Sequence, residues 1–200
     1  MIAALFVERD GAYYGLPDVD PWDAERDARR YAGPYPVVAH PPCERWNLLS
    51  AVNNARWGYG INAEADEGRF EAALAAVRRW GGVLEHPAET RAFKHYRIPE
   101  PARGHWQLTL DGDWVTEVNQ SAYGHRARKR TWLLYCGAAS PPSLNWRDVP
   151  GTHRVGFGFP ADTDKPLPTI KQEEALATPP AFRDLLLSIA RTATPQERAA

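Results

Sequence analysis

The sequence predicts an α/β fold built on a mostly parallel sheet. Three observations predict it. Short apolar runs end in polar loops, a helix-periodic stretch lies between two of them, and Gly or Pro marks the junctions. The 200 residues suit one such domain. A hydrophobic fraction of 44%, with eight Trp, eight Tyr and six Phe, supplies a core and excludes a disordered chain.

Each element follows in order. Residues 2–7, IAALFV, form a buried-strand pattern, and Asp10-Gly11 makes a turn. Residues 23–30, DAERDARR, read as a short, polar, exposed helix that Gly33-Pro34 ends. Pro36-Val37-Val38-Ala39 is a second strand. It runs into His40-Pro41-Pro42-Cys43, where two prolines impose an extended loop. The clearest helix spans 65–80: Phe70, Ala73, Leu74, Val77 and Trp80 recur at helical spacing, Arg78 and Arg79 occupy the last turn, and Gly81-Gly82 ends it. A strand at 83–85 reaches Glu85. Residues 114–119 alternate as a strand does, and 131–136, TWLLYC, form a buried one. Residues 180–192 carry Phe182, Leu185, Leu186 and Ile189 in the pattern of a closing helix. The expected organisation is a core over 1–139, an irregular Pro/Gly-rich insertion over 140–169, a segment over 170–192 packing back on the core, and a frayed tail over 193–200.

Composition narrows the function classes. Two cysteines cannot make a disulfide scaffold. Apolar runs fall short of the ~18 residues of a membrane span, and the first residues lack the basic region of a signal peptide. The expectation is a soluble, cytoplasmic protein with reduced thiols and no membrane partner. A net charge of −1 excludes a broad basic DNA-binding surface but leaves room for a local basic patch.

Three strand ends carry chemistry-bearing residues. Cys43 follows a strand in a loop stiffened by two prolines, where a nucleophile is well placed, because open α/β sheets put ligands at the carboxyl ends of their strands. Glu85 ends another buried strand. Arg126, Arg128 and Arg130 alternate before the strand at 131–136, so an extended chain would set all three on one face, with Lys129 between them. That face could bind a phosphate backbone. Trp46 and Trp57, near the PPC loop, could stack on an extruded base. Each residue also has a plainer reading. Cys43 could be a small core residue, Glu85 a cap or ion-pair partner, the arginines a solvated run, and the tryptophans packing. His40 and Cys43 make an HxxC pair, but two ligands are not four, so no metal is expected.

These motifs, in this order, resemble the DNA cytosine-5 methyltransferase family. Pro41-Pro42-Cys43 is similar to its PPC motif, Glu85 to the glutamate of its ENV motif, and Arg128 and Arg130, with Thr131-Trp132-Leu133-Leu134, to its QxRxR motif and strand. His86 and Pro87 replace the family's Asn and Val, and its glutamine before the arginines is absent. The resemblance covers most of 1–137 and, weakly, 170–192. It implies a Rossmann-like sheet of the methyltransferase type with a shortened cofactor-binding half, in a reduced relative of the kind found among bacteriophage and prophage proteins. It implies S-adenosylmethionine as cofactor, with Phe6, Gly11, Asp18 and Asp20 in the positions of the cofactor loop and ribose-binding segment. Glu8, Arg9 and Asp10 stand where the family has glycines, which predicts weak or no cofactor binding.

The implied chemistry is addition of a Cys43 thiolate to C6 of a pyrimidine extruded from DNA, so that C5 becomes enamine-like. Glu85 would hold N3 of the base, Arg128 and Arg130 would assist, and positive charge from the nearby arginines would lower the thiol pKa below the ~8.5 of a free cysteine, while Arg126 and Lys129 with them would contact the nucleic acid. The competing class is a binding module that keeps the fold and binds DNA or protein without catalysis, as a phage regulatory or antirestriction factor would.

Overall fold

The computed structural model describes residues 1–46, 55, 65–155 and 167–195. Its main sheet has seven strands: β1 (Ile2–Leu5), β2 (Val19–Trp22), β3 (Val37–Ala39), β4 (Gly82–Pro87), β5 (Gln107–Leu108), β6 (Trp114–Asn119) and β7 (Arg130–Cys136), in the order β2-β1-β3-β4-β7-β6-β5. The first four pair in parallel. β7 enters antiparallel to β4, and β6 and β5 continue antiparallel, so the sheet is mixed. Two longer helices, α1 (Arg69–Trp80) and the closing helix Pro180–Thr192, cover opposite faces. Two short ones, α2 (Arg91–His95) and α3 (Gln172–Leu176), sit in connections, so the closing helix is α4. Among the described residues no helix is long and apolar enough to cross a membrane.

Period-two alternation divides the core. Ala3 and Leu5, Val37 and Ala39, and Trp132 and Leu134 pack with Phe70, Ala73 and Val77 of α1. Ile2 and Ala4, Val38, and Leu133 and Tyr135 pack with Phe182, Leu186 and Ile189 of α4. On β4, Leu84 and His86 take the α1 side, where the buried His86 ring meets Phe70 edge-on at 5.2 Å. Burial pushes that imidazole down to about 4, against the smaller upward pulls of Glu85 and the Pro42 backbone.

Several sequence expectations are corrected. The first strand stops at Leu5, because Phe6 adopts a left-handed φ of 58°. Residues 23–30 form turns and a single 3₁₀ turn at Ala28–Arg30. The Asp23 carboxylate takes the amides of Glu25 and Arg26, and Asp27, itself left-handed, takes that of Arg29, so the aspartates divert the backbone from the helix. Residues 19–22 are a strand despite Pro21, which an edge position tolerates. Helix α1 begins at Arg69, after Asp66 accepts the Phe70 amide and Gly68 turns with a φ of 72°. The insertion contains a two-stranded sheet, β8 (Arg154–Val155) with β9 (Thr169–Ile170), and residues 156–166 lie outside the described residues. The start of the tail is held: Ala193 is buried, and the Thr194 carbonyl accepts the Ala138 amide.

β3 and β4 approach so closely that a Cβ on Gly82 would lie 1.9 Å from the Val37 carbonyl oxygen, at a φ of 127°. Gly82→Ala is therefore expected to cost more than ~3 kcal/mol in chemical denaturation. Gly15→Ala, left-handed but in open space, should cost only ~1 kcal/mol. Equal, small effects would mean that the strand pairing does not need the glycine.

Candidate functional site

The carboxyl ends of β1 and β3 flank the point where strand order reverses, the usual ligand position in an open α/β sheet. A cavity of about 1210 Å³ opens there. Phe6, Glu8 and Tyr13 from beyond β1, Asp23, Asp27 and Arg29 from beyond β2, His40 to Glu44 from beyond β3, Glu85 and Pro87 from β4, Lys129 from before β7, and Lys171, Glu173 and Ala175 to Thr178 around α3 all contribute to its wall.

Register builds its centre. Ala39 pairs with Leu84, so the next residues, His40 and Glu85, are neighbours, and alternation turns both to the α4 side. The Nδ1 of His40 lies 3.0 Å from Glu85 Oε2, and its Nε2 lies 2.7 Å from the buried Tyr13 hydroxyl. Gln120, in the turn after β6, reaches Glu85 Oε1 at 3.4 Å and Thr131 Oγ1 at 2.9 Å. Burial alone would raise the Glu85 carboxyl. The His40 hydrogen bond and the fields of His40 and Lys129 outweigh it and hold the group below its ordinary value. Burial and the Glu85 charge push the Tyr13 phenol well above its ordinary value. At neutral pH Glu85 is therefore a carboxylate and Tyr13 a phenol.

The structure brings Cys43 and Glu85 to one cavity. It does not bring the arginines. Arg126 pairs with Glu174 and reaches His153. Arg128 binds Asp148 at 2.8 Å and lines a separate open groove of about 480 Å³ with His153 and Arg154. Arg130 grips both oxygens of Glu117, at 2.8 and 2.9 Å, and also pairs with Glu89. Lys129, between them, is the residue of this segment that lines the cavity, and its Nζ donates to the Ala175 carbonyl at 3.1 Å.

The expected thiol activation is also corrected. With those arginines elsewhere, burial first and Glu85 second push the Cys43 thiol up to about 11, and Lys129 offsets only part of this. Trp46 is buried against Phe70, His95 and Tyr96, so it is not free to stack on a base. Trp57 lies outside the described residues.

Of the residues implied for a cofactor, Phe6 lines the cavity and Gly11, Asp18 and Asp20 do not. Gly11 closes a turn in which a Cβ would lie 2.9 Å from the Glu8 carbonyl oxygen. Asp18 accepts the Ile2 amide through its backbone. The Asp20 carboxylate is taken by Trp22 Nε1 and by Arg26, at 2.8 and 2.6 Å. The strand-end acid at the cavity is Asp23, whose Oδ2 accepts from Tyr14 at 2.6 Å and whose Oδ1 takes two backbone amides. Among the described residues no group of three or more His, Cys, Asp or Glu could hold a metal ion.

Among the described residues, carboxylates at the wall (Glu8, Asp23, Asp27, Glu44, Glu67, Glu85 and Glu173) outnumber the cations Arg29, Arg69, Lys129 and Lys171. Such a wall suits a neutral or cationic ligand better than a run of phosphates. Comparison with family models, with curated proteins and with solved structures finds no match to the chain.

Sequence reasoning missed His40 as more than half of a metal pair, and it missed Tyr13, Asp23 and Gln120. For His40 a signal was available, since it directly follows a short apolar strand, whereas Asp23 follows β2, whose Asp20 and Pro21 interrupt the apolar pattern. Tyr13 and Gln120 have no local signal, because their role comes from contacts 27 and 35 residues away.

The raised thiol has a measurable consequence. Alkylation of Cys43 should accelerate about tenfold per pH unit through the neutral range, with no plateau below pH 9. Cys136, 1% exposed, serves as the protected control. Glu85→Gln removes a negative charge that raises the thiol, so it should speed Cys43 alkylation at pH 8. A plateau near neutrality, or slower reaction in Glu85→Gln, would contradict this electrostatic picture.

Proposed function

We propose that the protein is a cytosine-5 methyltransferase-like enzyme that acts on a pyrimidine base extruded from DNA, through addition of Cys43 to C6. The observation that carries the reading is that Cys43 and Glu85 line one cavity at the carboxyl ends of adjacent parallel strands. Those two groups are the nucleophile and the N3 contact that this chemistry needs. The cavity is large enough for a base, and its surplus of carboxylates favours a base or nucleoside over a polyphosphate. Lys129 supplies the local positive charge first sought in Arg128 and Arg130.

The acidic lobe at Phe6, Glu8, Asp23 and Asp27 is the part that suits S-adenosylmethionine, a cation at its sulfonium. When bound, that cofactor supplies the methyl electrophile for C5. Asp23 already carries three hydrogen bonds and the Phe6–Asp10 turn presents side chains, so low affinity is expected. This last observation also favours a second reading, a non-catalytic module that binds DNA or protein and has lost cofactor binding.

Mass spectrometry of nucleosides distinguishes the two. DNA from cells expressing the protein should contain a deoxycytidine derivative that is absent when Cys43→Ala is expressed instead. Identical nucleoside profiles from the two, with DNA binding intact, would support the module and count against the enzyme.

A further inference from the structure

We propose that α3 is a lid over the cavity, latched shut by the ion pair of Arg126 with Glu174, and that release of the latch admits the ligand. The lid acts on access, whatever chemistry Cys43 performs. The helix belongs to the cavity wall but not to the core. Lys171, Glu173 and Ala175 to Thr178 form one side of the wall. None of them joins either apolar cluster, and Leu176, the one large apolar side chain of α3, is 67% exposed. The buried anchors of this stretch lie beyond its two ends, at Ile170 of β9 and Phe182 of α4. Within it, the Ala175 and Ala177 amides donate to the Lys171 and Glu173 carbonyls, both at 3.0 Å, so the turn keeps its shape and can move as a unit. A helix of five residues is marginal without tertiary support, so its place depends on its tethers.

The tethers reach α3 from residues 125–129. The Arg126 guanidinium grips both oxygens of Glu174, the Lys129 ammonium donates to the Ala175 carbonyl at 3.1 Å, and the His125 ring faces the Glu174 backbone. That segment is the fixed half of the latch. The Arg126 carbonyl accepts the amides of Thr152 and His153, at 2.9 and 3.1 Å, and the Lys129 carbonyl accepts that of Gln120 at 3.0 Å. The Arg126 guanidinium also donates to His153 Nε2 at 3.1 Å, which holds it in place. Glu174 is the moving half. The paired side chains are 53% and 33% exposed, so the bond between them is weak, screened by salt and readily released. An element that opens and closes requires such low local stability. The latch also reaches the centre of the cavity. Lys129 lines it, and its charge acts on both Cys43 and Glu85. Because the Lys129 ammonium is tied to the Ala175 carbonyl, the position of the lid sets where that charge stands.

Labelling of Cys43 by N-ethylmaleimide and by an uncharged polyethylene-glycol maleimide tests the lid. Both reagents attack by the same chemistry, so the ratio of their rates cancels the thiolate fraction and reads access alone. In low salt the folded wild type should disfavour the bulky reagent at least ~10-fold more than the unfolded chain does. Glu174→Gln should shrink that gap about threefold, and molar salt should shrink it in the wild type but not in the variant. The charge swap Arg126→Glu with Glu174→Arg should restore the gap. Amide exchange across 171–178 should quicken in Glu174→Gln while exchange in β4 stays unchanged, which separates an open lid from a loosened protein. A gap that Glu174→Gln leaves unchanged would overturn the latch. So would a gap that shrinks only together with faster exchange in β4, or one that the charge swap fails to restore.

Discussion

The parallel pairing of β3 with β4 is the constraint on which the cavity depends. Gly82 lets the two backbones meet where any side chain would strike the Val37 carbonyl. That contact sets the register of Ala39 against Leu84 and so delivers His40 and Glu85 side by side at the carboxyl edge. A slip of one residue in either strand would turn its member of the pair to the opposite face, against α1, and part the two. The same edge begins the PPC loop, whose two prolines limit where Cys43 can go. The site is thus a consequence of sheet geometry more than of any one loop.

Electrostatics then act on groups that the sheet has already gathered. The centre holds its carboxyl ionised and its thiol protonated, because His40 and Lys129 stabilise one negative charge and Glu85 opposes a second. Two anions in one poorly solvated place would repel each other strongly. The arginines of the 126–130 segment serve elsewhere. Arg130, with Arg103 and Trp132, neutralises the buried Glu117 carboxylate.

What was legible in the sequence was whatever depends on local periodicity. The strand at 114–119 and the helix at 180–192 stand where alternation and helical spacing put them, and all five strands that were read share one sheet. The placement of Cys43 and Glu85 at one edge was legible too, because both follow apolar runs. Side-chain competition was not. Asp23 and Asp27 capture backbone amides and unmake the expected helix at 23–30. Nor was the choice of face at 126–130, since alternation says which residues share a side but not which side meets the cavity. Lys129 lines it because the flanking arginines have acidic partners from distant segments, Glu174, Asp148 and Glu117.

The central claim is that Cys43 adds to C6 of a pyrimidine held at Glu85. Intact-protein mass spectrometry after incubation with a single-stranded oligonucleotide carrying 5-azacytosine tests it most directly, because nitrogen at position 5 makes C6 more electrophilic and stabilises the adduct without a cofactor. The expected result is one added oligonucleotide mass per chain, mapped to the Cys43 peptide and absent in Cys43→Ala. Binding of the oligonucleotide with no covalent mass at any pH up to about 10, or an adduct mapped to Cys136, would contradict it.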